Sequence, residues 1–208
     1  LAAVAGVGAR LVFASSSSVY GNDDRRPFKE DQMAARPVSP YGATKVAGEA
    51  LVHAHHALTG LPVMLARLFT VYGPRQRPDL AIHTFATRIL RGDPIELYGS
   101  GTVPRDYTYV DDVVDALVRM ADTDHPRLVV NVGSDRPITN GEMLTALETA
   151  LGMDAVRRDV PHQPGDALAT HADITRAREV LGWQPRTRFE DGIRRFVDWL
   201  RAEQPGGR

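Results

Sequence analysis

The sequence predicts an α/β protein organised around a parallel sheet, and three observations predict it. Short runs dominated by apolar residues recur at Leu11 to Ala14, Leu61 to Phe69 and Leu128 to Val132, the mark of strands buried on both faces. Longer stretches of helix formers fall between and after these runs, so strands alternate with helices. Serine, glycine and proline clusters punctuate the boundaries. The length of 208 residues suits one large domain, or one and a half.

Residues 1–8 read as the tail of a helix ended by Gly6 and Gly8. The strand Leu11 to Ala14 runs into Ser15 to Ser18. Residues 21–39 are polar and contain proline, which predicts a loop, and Pro40 suits the first turn of a helix that continues through Ala43 to Ala57. The strand 61–69 follows. Gly73, Pro74 and Pro78 predict a loop over 70–79, and Leu80, Thr84, Phe85 and Ile89 predict one face of a helix over 80–91. Short strands are expected at 95–98 and 107–110. Asp111 or Asp112 is placed to cap a helix running to Met120. After the strand 128–132, Thr139 and Glu142 form a capping-box pattern ahead of a helix to Leu151. Two more helices fit 174–181 and 189–203. The C-terminal third, with shorter strands among helices, reads as a smaller subdomain.

Composition narrows the function. Apolar residues make up 43% and charged residues 25%, the balance of a globular protein, and the formal net charge of -1 excludes a broad electrostatic grip on nucleic acid or an anionic membrane. Arg67 interrupts the most apolar stretch, so no membrane span is expected. Without cysteine, the chain has no disulfide, thiolate nucleophile or cysteine-ligated metal, and a cytoplasmic setting is expected. The seven histidines lack metal-ligand spacing, so no metal site is expected.

The pattern carrying chemistry is Tyr41-Gly42-Ala43-Thr44-Lys45. Residues four apart share a helix face, which sets the Lys45 ammonium near the Tyr41 phenol, and a cation there favours loss of the phenolic proton. Upstream, a buried strand ends in Ser15-Ser16-Ser17-Ser18-Val19-Tyr20-Gly21, and the carboxyl end of a parallel strand opens on a ligand crevice.

With S-S-S-S-V-Y-G (15–21), S-P-Y-G-A-T-K (39–45), R-L-F-T-V-Y-G-P (67–74), R-D-Y-T-Y-V-D-D (105–112) and Q-P-G-D (163–166) in this order, the chain resembles the extended short-chain dehydrogenase/reductases, in particular the NAD-dependent UDP-sugar 4-epimerases. The resemblance implies a partial doubly wound, Rossmann-type parallel sheet with a smaller C-terminal substrate-binding α/β subdomain. Residues 1–75 would be the C-terminal half of the catalytic domain. Residues 76–208 would be mainly the nucleotide-sugar-binding part, with about 105–135 returning to the sheet. It implies Tyr41 as acid/base, with Lys45 on the nicotinamide ribose. Ser16 and Ser18 would meet the sugar hydroxyls or the phenol, whereas Ser17 reads as a solvated loop residue. Tyr41, Lys45, Ala14, Ser15 and Leu68 would bind NAD. Thr70, Arg77, Tyr98, Arg105 and Asp166 would bind the nucleotide sugar. Arg105 would take the diphosphate, or else pair with Asp106 on the surface. Tyr98 would lie on the uracil, or else pack in the core. Asp166 would take the uridine ribose, or else shape the turn after Gly165.

Ser17 and Ser18 stand where sugar dehydratases usually carry an Asp-Glu pair, so dehydration is not expected. Thr70 departs from the Asn usual in UDP-glucuronate decarboxylases and UDP-glucose 4-epimerases. The run Thr70 to Asp79 and Q-P-G-D look most like UDP-glucuronate 4-epimerases, with Arg77 facing the C6 carboxylate or else solvated in its loop. The implied reaction takes UDP-glucuronate to UDP-galacturonate through a 4-keto sugar. Use of UDP-glucose is the alternative, and a non-catalytic or truncated relative is a further one, which the complete set Ser16, Tyr41 and Lys45 disfavours. The family's G-x-x-G-x-x-G turn is not in the sequence. Gly6-Val7-Gly8 precedes a strand rather than joining strand to helix, so it cannot present a helix end to a pyrophosphate. Together with Leu1 at the start, this reads as a fragment, expected by itself to be inactive, poorly folded and without most of the NAD pocket. Ala43, Ala47, Ala50, Leu51 and Ala54 suggest close helix packing in a homodimer, as related enzymes pair through this helix, or else a core face.

Overall fold

The computed structural model describes residues 9–32, 37–161 and 169–203. Along the chain run β1 (Leu11–Ser16), α1 (Pro40–Thr59), β2 (Val63–Leu68), β3 (Thr70–Tyr72), α2 (Ala81–Arg91), β4 (Ile95–Tyr98) and β5 (Pro104–Tyr109). Then follow α3 (Val110–Asp122), β6 (Arg127–Val132), β7 (Pro137–Thr139), α4 (Asn140–Leu151), β8 (Arg157–Val160), α5 (Thr175–Leu181) and α6 (Phe189–Glu203). β1, β2 and β6 form one parallel sheet in that order, with Leu11 beside Val63 and Val63 beside Arg127. A second sheet has the order β3-β5-β7, and β4 pairs with β8 in parallel.

The pleat of β2 explains its nearly unbroken apolar run. Val63 and Leu65 pack with Val52 of α1, while Met64 and Ala66 pack with Val113, Ala116 and Met120 of α3. Helices thus cover both faces, as the resemblance implies. A separate core lies in the C-terminal part, where Tyr72, Ile82, Ile89, Ile95, Met143, Leu147, Ile193 and Phe196 meet. At about 1.5–3 kcal/mol for each large apolar side chain removed from water, these clusters outweigh any single polar contact. Of residues 105–135, α3 packs on the first sheet and β6 joins it, whereas β5 belongs to the second.

The end signals hold where side chains carry them. Ser39 caps α1, its Oγ accepting from Gly42 N at 3.0 Å, and Pro40 opens the helix. The capping box is present in both directions: Thr139 Oγ1 accepts from Glu142 N at 3.1 Å, and Glu142 Oε2 accepts from Thr139 N at 2.8 Å.

Other expectations are corrected. Residues 70–72 are strand, not loop, because their backbone pairs with β5 and Tyr72 is buried. β7 and β8 are short or polar segments made into strands by distant partners, which local pattern does not reveal. Neither Asp111 nor Asp112 is the cap of α3; Tyr109 holds that position without a side-chain bond. Asp112 is instead buried inside the first turn, accepting from Thr187 N at 3.0 Å. The buried face of α2 is Ile82, Ala86 and Ile89, with Leu80, Thr84 and Phe85 only half-buried. The expected helix tail at 1–8 lies outside the described residues.

Asp106 joins three segments. Its carboxylate accepts from Ser134 N (2.5 Å), Ser134 Oγ (2.8 Å), Asp135 N (3.2 Å) and Ala172 N (3.0 Å), and the residue is fully buried. Asn offers one acceptor oxygen, and its amide would face N–H donors left without partners. We predict that Asp106→Asn lowers unfolding stability by about 1–3 kcal/mol, read from the urea midpoint. An unchanged midpoint refutes this account of the tie.

Candidate active site

The serine run turns the chain at the carboxyl end of β1. Residues Ser17–Tyr20 form a single 3-10 turn capped by Ser16, whose Oγ accepts from Ser18 N at 3.2 Å and lies 3.0 Å from Ser18 Oγ. Strand alternation sends Ser15 the other way, to a hydrogen bond with Glu49 of α1. Its hydroxyl is thus already engaged and is absent from the crevice lining, so the resemblance's NAD role for Ser15 does not extend to its side chain.

The start of α1 lies against this turn. A Cβ added at Gly42 would sit 3.1 Å from Ser18 O and 3.5 Å from Ser18 Cβ, so glycine permits the approach. Tyr41, which precedes Gly42, is 56% exposed and open to a ligand. Lys45 lies one turn on. Its Nζ donates to Ala14 O at 2.8 Å and lies 5.5 Å from the Tyr41 ring centroid. Ala14 itself is exposed.

A crevice of about 640 Å³ opens at the ends of β1 and β2. Ser16, Ser18, Leu68, Thr70 and Arg105 all line it, gathered from three stretches of the chain, and Ser17, expected to be only a solvated loop residue, lines it too, whereas Tyr41, Lys45 and Ala14 are not among its lining residues. Arg105 makes no ion pair with Asp106, which is saturated elsewhere; its Nε is buried without a hydrogen-bond partner among the described residues. A buried donor of this kind costs free energy until an acceptor arrives, and a forked cation suits phosphate oxygens.

Other expected residues lie apart. Arg77 is in the loop ahead of α2, 75% exposed along its side chain, and pairs with Asp79 at 2.5 and 3.0 Å. Tyr98 ends β4 exposed, its hydroxyl 3.4 Å from Glu96, so it is not a core residue. Asp166 is outside the described residues. Among those described, no group of three or more acidic or histidine side chains is placed to hold a metal, and no helix is long and apolar enough to cross a membrane.

Several contributors escaped sequence reasoning. Phe28, Val38 and Thr170 line the crevice from loops, and no local pattern marks them. Glu49 left a signal: a charged residue one turn beyond Lys45, on the helix face directed at the sheet. Its carboxylate accepts from Arg67 at 3.0 and 2.8 Å, with both side chains nearly inaccessible. Arg67 reads in sequence only as a break in an apolar run.

Comparison with known proteins places this geometry. The model of the NAD dependent epimerase/dehydratase family matches residues 1–133. An uncharacterised 37.6 kDa protein of Escherichia coli O111:H- is 41% identical over 209 residues, covering 92% of this chain and 63% of the relative. The chain thus spans less than two thirds of that relative's length. The structure of MoeE5 in complex with UDP-glucose and NAD superposes with a TM-score of 0.88 at 39% identity, covering 97% of this chain and 68% of that one. The UDP-glucuronic acid 4-epimerase of Bacillus cereus, in complex with UDP-glucuronic acid and NAD, does so with a TM-score of 0.86 at 34% identity, covering 93% and 62%. With the family model matching well over half of its residues, this chain belongs to the NAD dependent epimerase/dehydratase family.

Proposed function

We propose that this chain carries the proton-transfer and sugar-binding groups of an NAD-dependent UDP-sugar 4-epimerase, acting on UDP-glucuronate. The observation that carries the reading is the Lys45 ammonium fixed on Ala14 O and 5.5 Å from the Tyr41 ring centroid, on a helix whose Gly42 lies against Ser18. The residues that would hold a nicotinamide are the Lys45 ammonium, anchored on the carbonyl of the exposed Ala14, and the apolar Leu68 at the crevice. When bound, NAD would supply the hydride acceptor and donor for C4 of the sugar.

The chain's own groups handle the proton. Tyr41 Oη, as phenolate, takes the O4 proton as the C4–H bond breaks and gives it back when that bond re-forms. Lys45 stabilises the phenolate between the two steps. Ser16 and Ser18 offer hydroxyls to the sugar, and Arg105 offers its unpartnered Nε to the diphosphate. Arg77 reaches the C6 carboxylate by exchanging Asp79 for it. An exposed ion pair is worth only about 0–1 kcal/mol, so the exchange costs little. The B. cereus relative, bound to UDP-glucuronic acid, supports this substrate; MoeE5, in complexes with UDP-glucose and with UDP-glucuronic acid, is compatible with either sugar.

One kinetic panel separates these roles. Tyr41→Phe is expected to lower kcat by about 10²–10⁴-fold with little change in substrate affinity. Retention of more than about a tenth of wild-type kcat removes Tyr41 as acid/base. Wild type should prefer UDP-glucuronate over UDP-glucose by about 10²-fold in kcat/KM, and Arg77→Ala should erase the preference. Equal use of the two sugars by wild type favours the UDP-glucose reading, and a preference surviving in Arg77→Ala removes Arg77 alone.

We also propose that α1 is a dimer surface. Ala43, Ala47, Ala50, Leu51 and Ala54 are all exposed in this chain, and Leu51 and Leu58 are 64% and 85% accessible. Light scattering of the whole protein should give a dimer that Leu51→Asp dissociates. A monomeric wild type contradicts this.

A further inference from the structure

The helix that bears Tyr41 and Lys45 is held by few side chains. Of the twenty residues of α1, only Gly42, Glu49 and Val52 are buried. Gly42 and Val52 give close approach and apolar contact, neither of which resists sliding. Glu49 is different. Its Oε1 accepts from Ser15 Oγ and from Arg67 Nε at 3.0 Å, and its Oε2 accepts from a terminal Arg67 nitrogen at 2.8 Å. Arg67 is itself fixed, its other terminal nitrogen donating to Tyr20 Oη (3.2 Å) and to the carbonyls of Glu30 and Gln32 (3.0 Å each).

The tie is set where the site needs it. Ser15 lies between Ala14, whose carbonyl anchors Lys45, and Ser16, which lines the crevice. Arg67 adjoins Leu68, which lines the same crevice. We propose that Glu49 is a positioning residue that sets the register of α1 against β1 and β2, and through it the meeting of Lys45 with Ala14 and of Gly42, beside Tyr41, with Ser18. Glu49 touches neither substrate nor cofactor, and the proposal rests on the epimerase reading above. A two-point carboxylate–guanidinium pair is directional, and a third bond to Ser15 leaves one position satisfied. An apolar pair would cover the same area without choosing among positions, and buried ion pairs can often be replaced by apolar residues without loss of stability.

The test compares wild type, Glu49→Leu/Arg67→Met, Glu49→Asp and Tyr41→Phe in the whole protein with NAD. The apolar double variant should remain folded at the assay temperature but melt below wild type, because Ser15 Oγ and the carbonyls of Glu30 and Gln32 lose their partners. Its kcat should fall at least about tenfold while KM for the UDP-sugar stays within about twofold, because small displacements of reacting groups lower turnover steeply. Glu49→Asp keeps the charge one methylene short, and it should remain folded with a smaller fall in kcat and the same KM. A folded double variant with wild-type kcat overturns the proposal. If the double variant does not fold, Glu49→Asp decides: undiminished kcat overturns it. A crystal structure of whichever variant folds gives a readout without turnover, with the Lys45 Nζ to Ala14 O distance expected beyond about 3.5 Å. Wild-type geometry there overturns positioning. Full turnover in Tyr41→Phe, or none in wild type, would instead sink the epimerase reading and leave the structural comparison to judge Glu49.

Discussion

A guanidinium removed from water must be given its hydrogen bonds back, and in this fold that requirement falls on Arg67. The residue is 3% exposed at the end of a strand buried on both faces. Burial alone would favour its neutral form, but the bonds to Glu49 and Tyr20 more than offset this and hold it charged. Removing one member of such a pair typically costs about 3–5 kcal/mol, because the other is left buried and unmatched. The partners are drawn from α1, the turn after β1 and the loop at 30–32, so satisfying one cation brings those segments together. Tyr20 shares the constraint. Burial pushes its phenol up to about 12 despite Arg67 nearby, and its hydroxyl donates to Asn131 of β6.

The two tyrosines nearest the serine turn therefore differ in use. Tyr20 is inside, stacked on Phe28 at 4.7 Å and bonded within the interior. Tyr41 is outside, beside an ammonium and accessible. A phenol that exchanges a proton with a ligand must be reachable, and one that locks a strand to a turn must not be. The same division applies to the arginines. Arg67 is saturated within the fold, whereas Arg105 brings a buried donor to the crevice with no protein partner among the described residues.

Much of this was readable from residue order. The apolar strands, the serine run, Pro40 after Ser39 and the spacing of Tyr41 and Lys45 are local signals, and each corresponds to a feature within a few residues. Ser16, Ser18, Leu68, Thr70 and Arg105 do converge on one crevice. The failures share a cause. β3, β7 and β8 are strands because of remote partners, and the alternation of Arg157 to Val160 contains too little apolar surface to announce one. The inward turn of Asp112 depends on Thr187, 75 residues away. The exposure of Arg77 and its pairing with Asp79 are properties of loop conformation that composition leaves undetermined. Glu49 and Arg67 were visible as misplaced charges, but only the fold shows that they answer one another.

In the proposed reaction, Lys45, anchored on Ala14, makes the Tyr41 phenol competent to move a proton in step with hydride loss from C4. A single-turnover experiment on the whole protein tests it directly. NAD-loaded protein is mixed with a UDP-sugar carrying hydrogen or deuterium at C4, and reduced nicotinamide is followed optically, in wild type and in Lys45→Met. Wild type should show a transient of reduced nicotinamide that is slowed by deuterium and largely lost in Lys45→Met. Inversion at C4 with no isotope effect and no transient, or a transient indifferent to Lys45→Met, would contradict it.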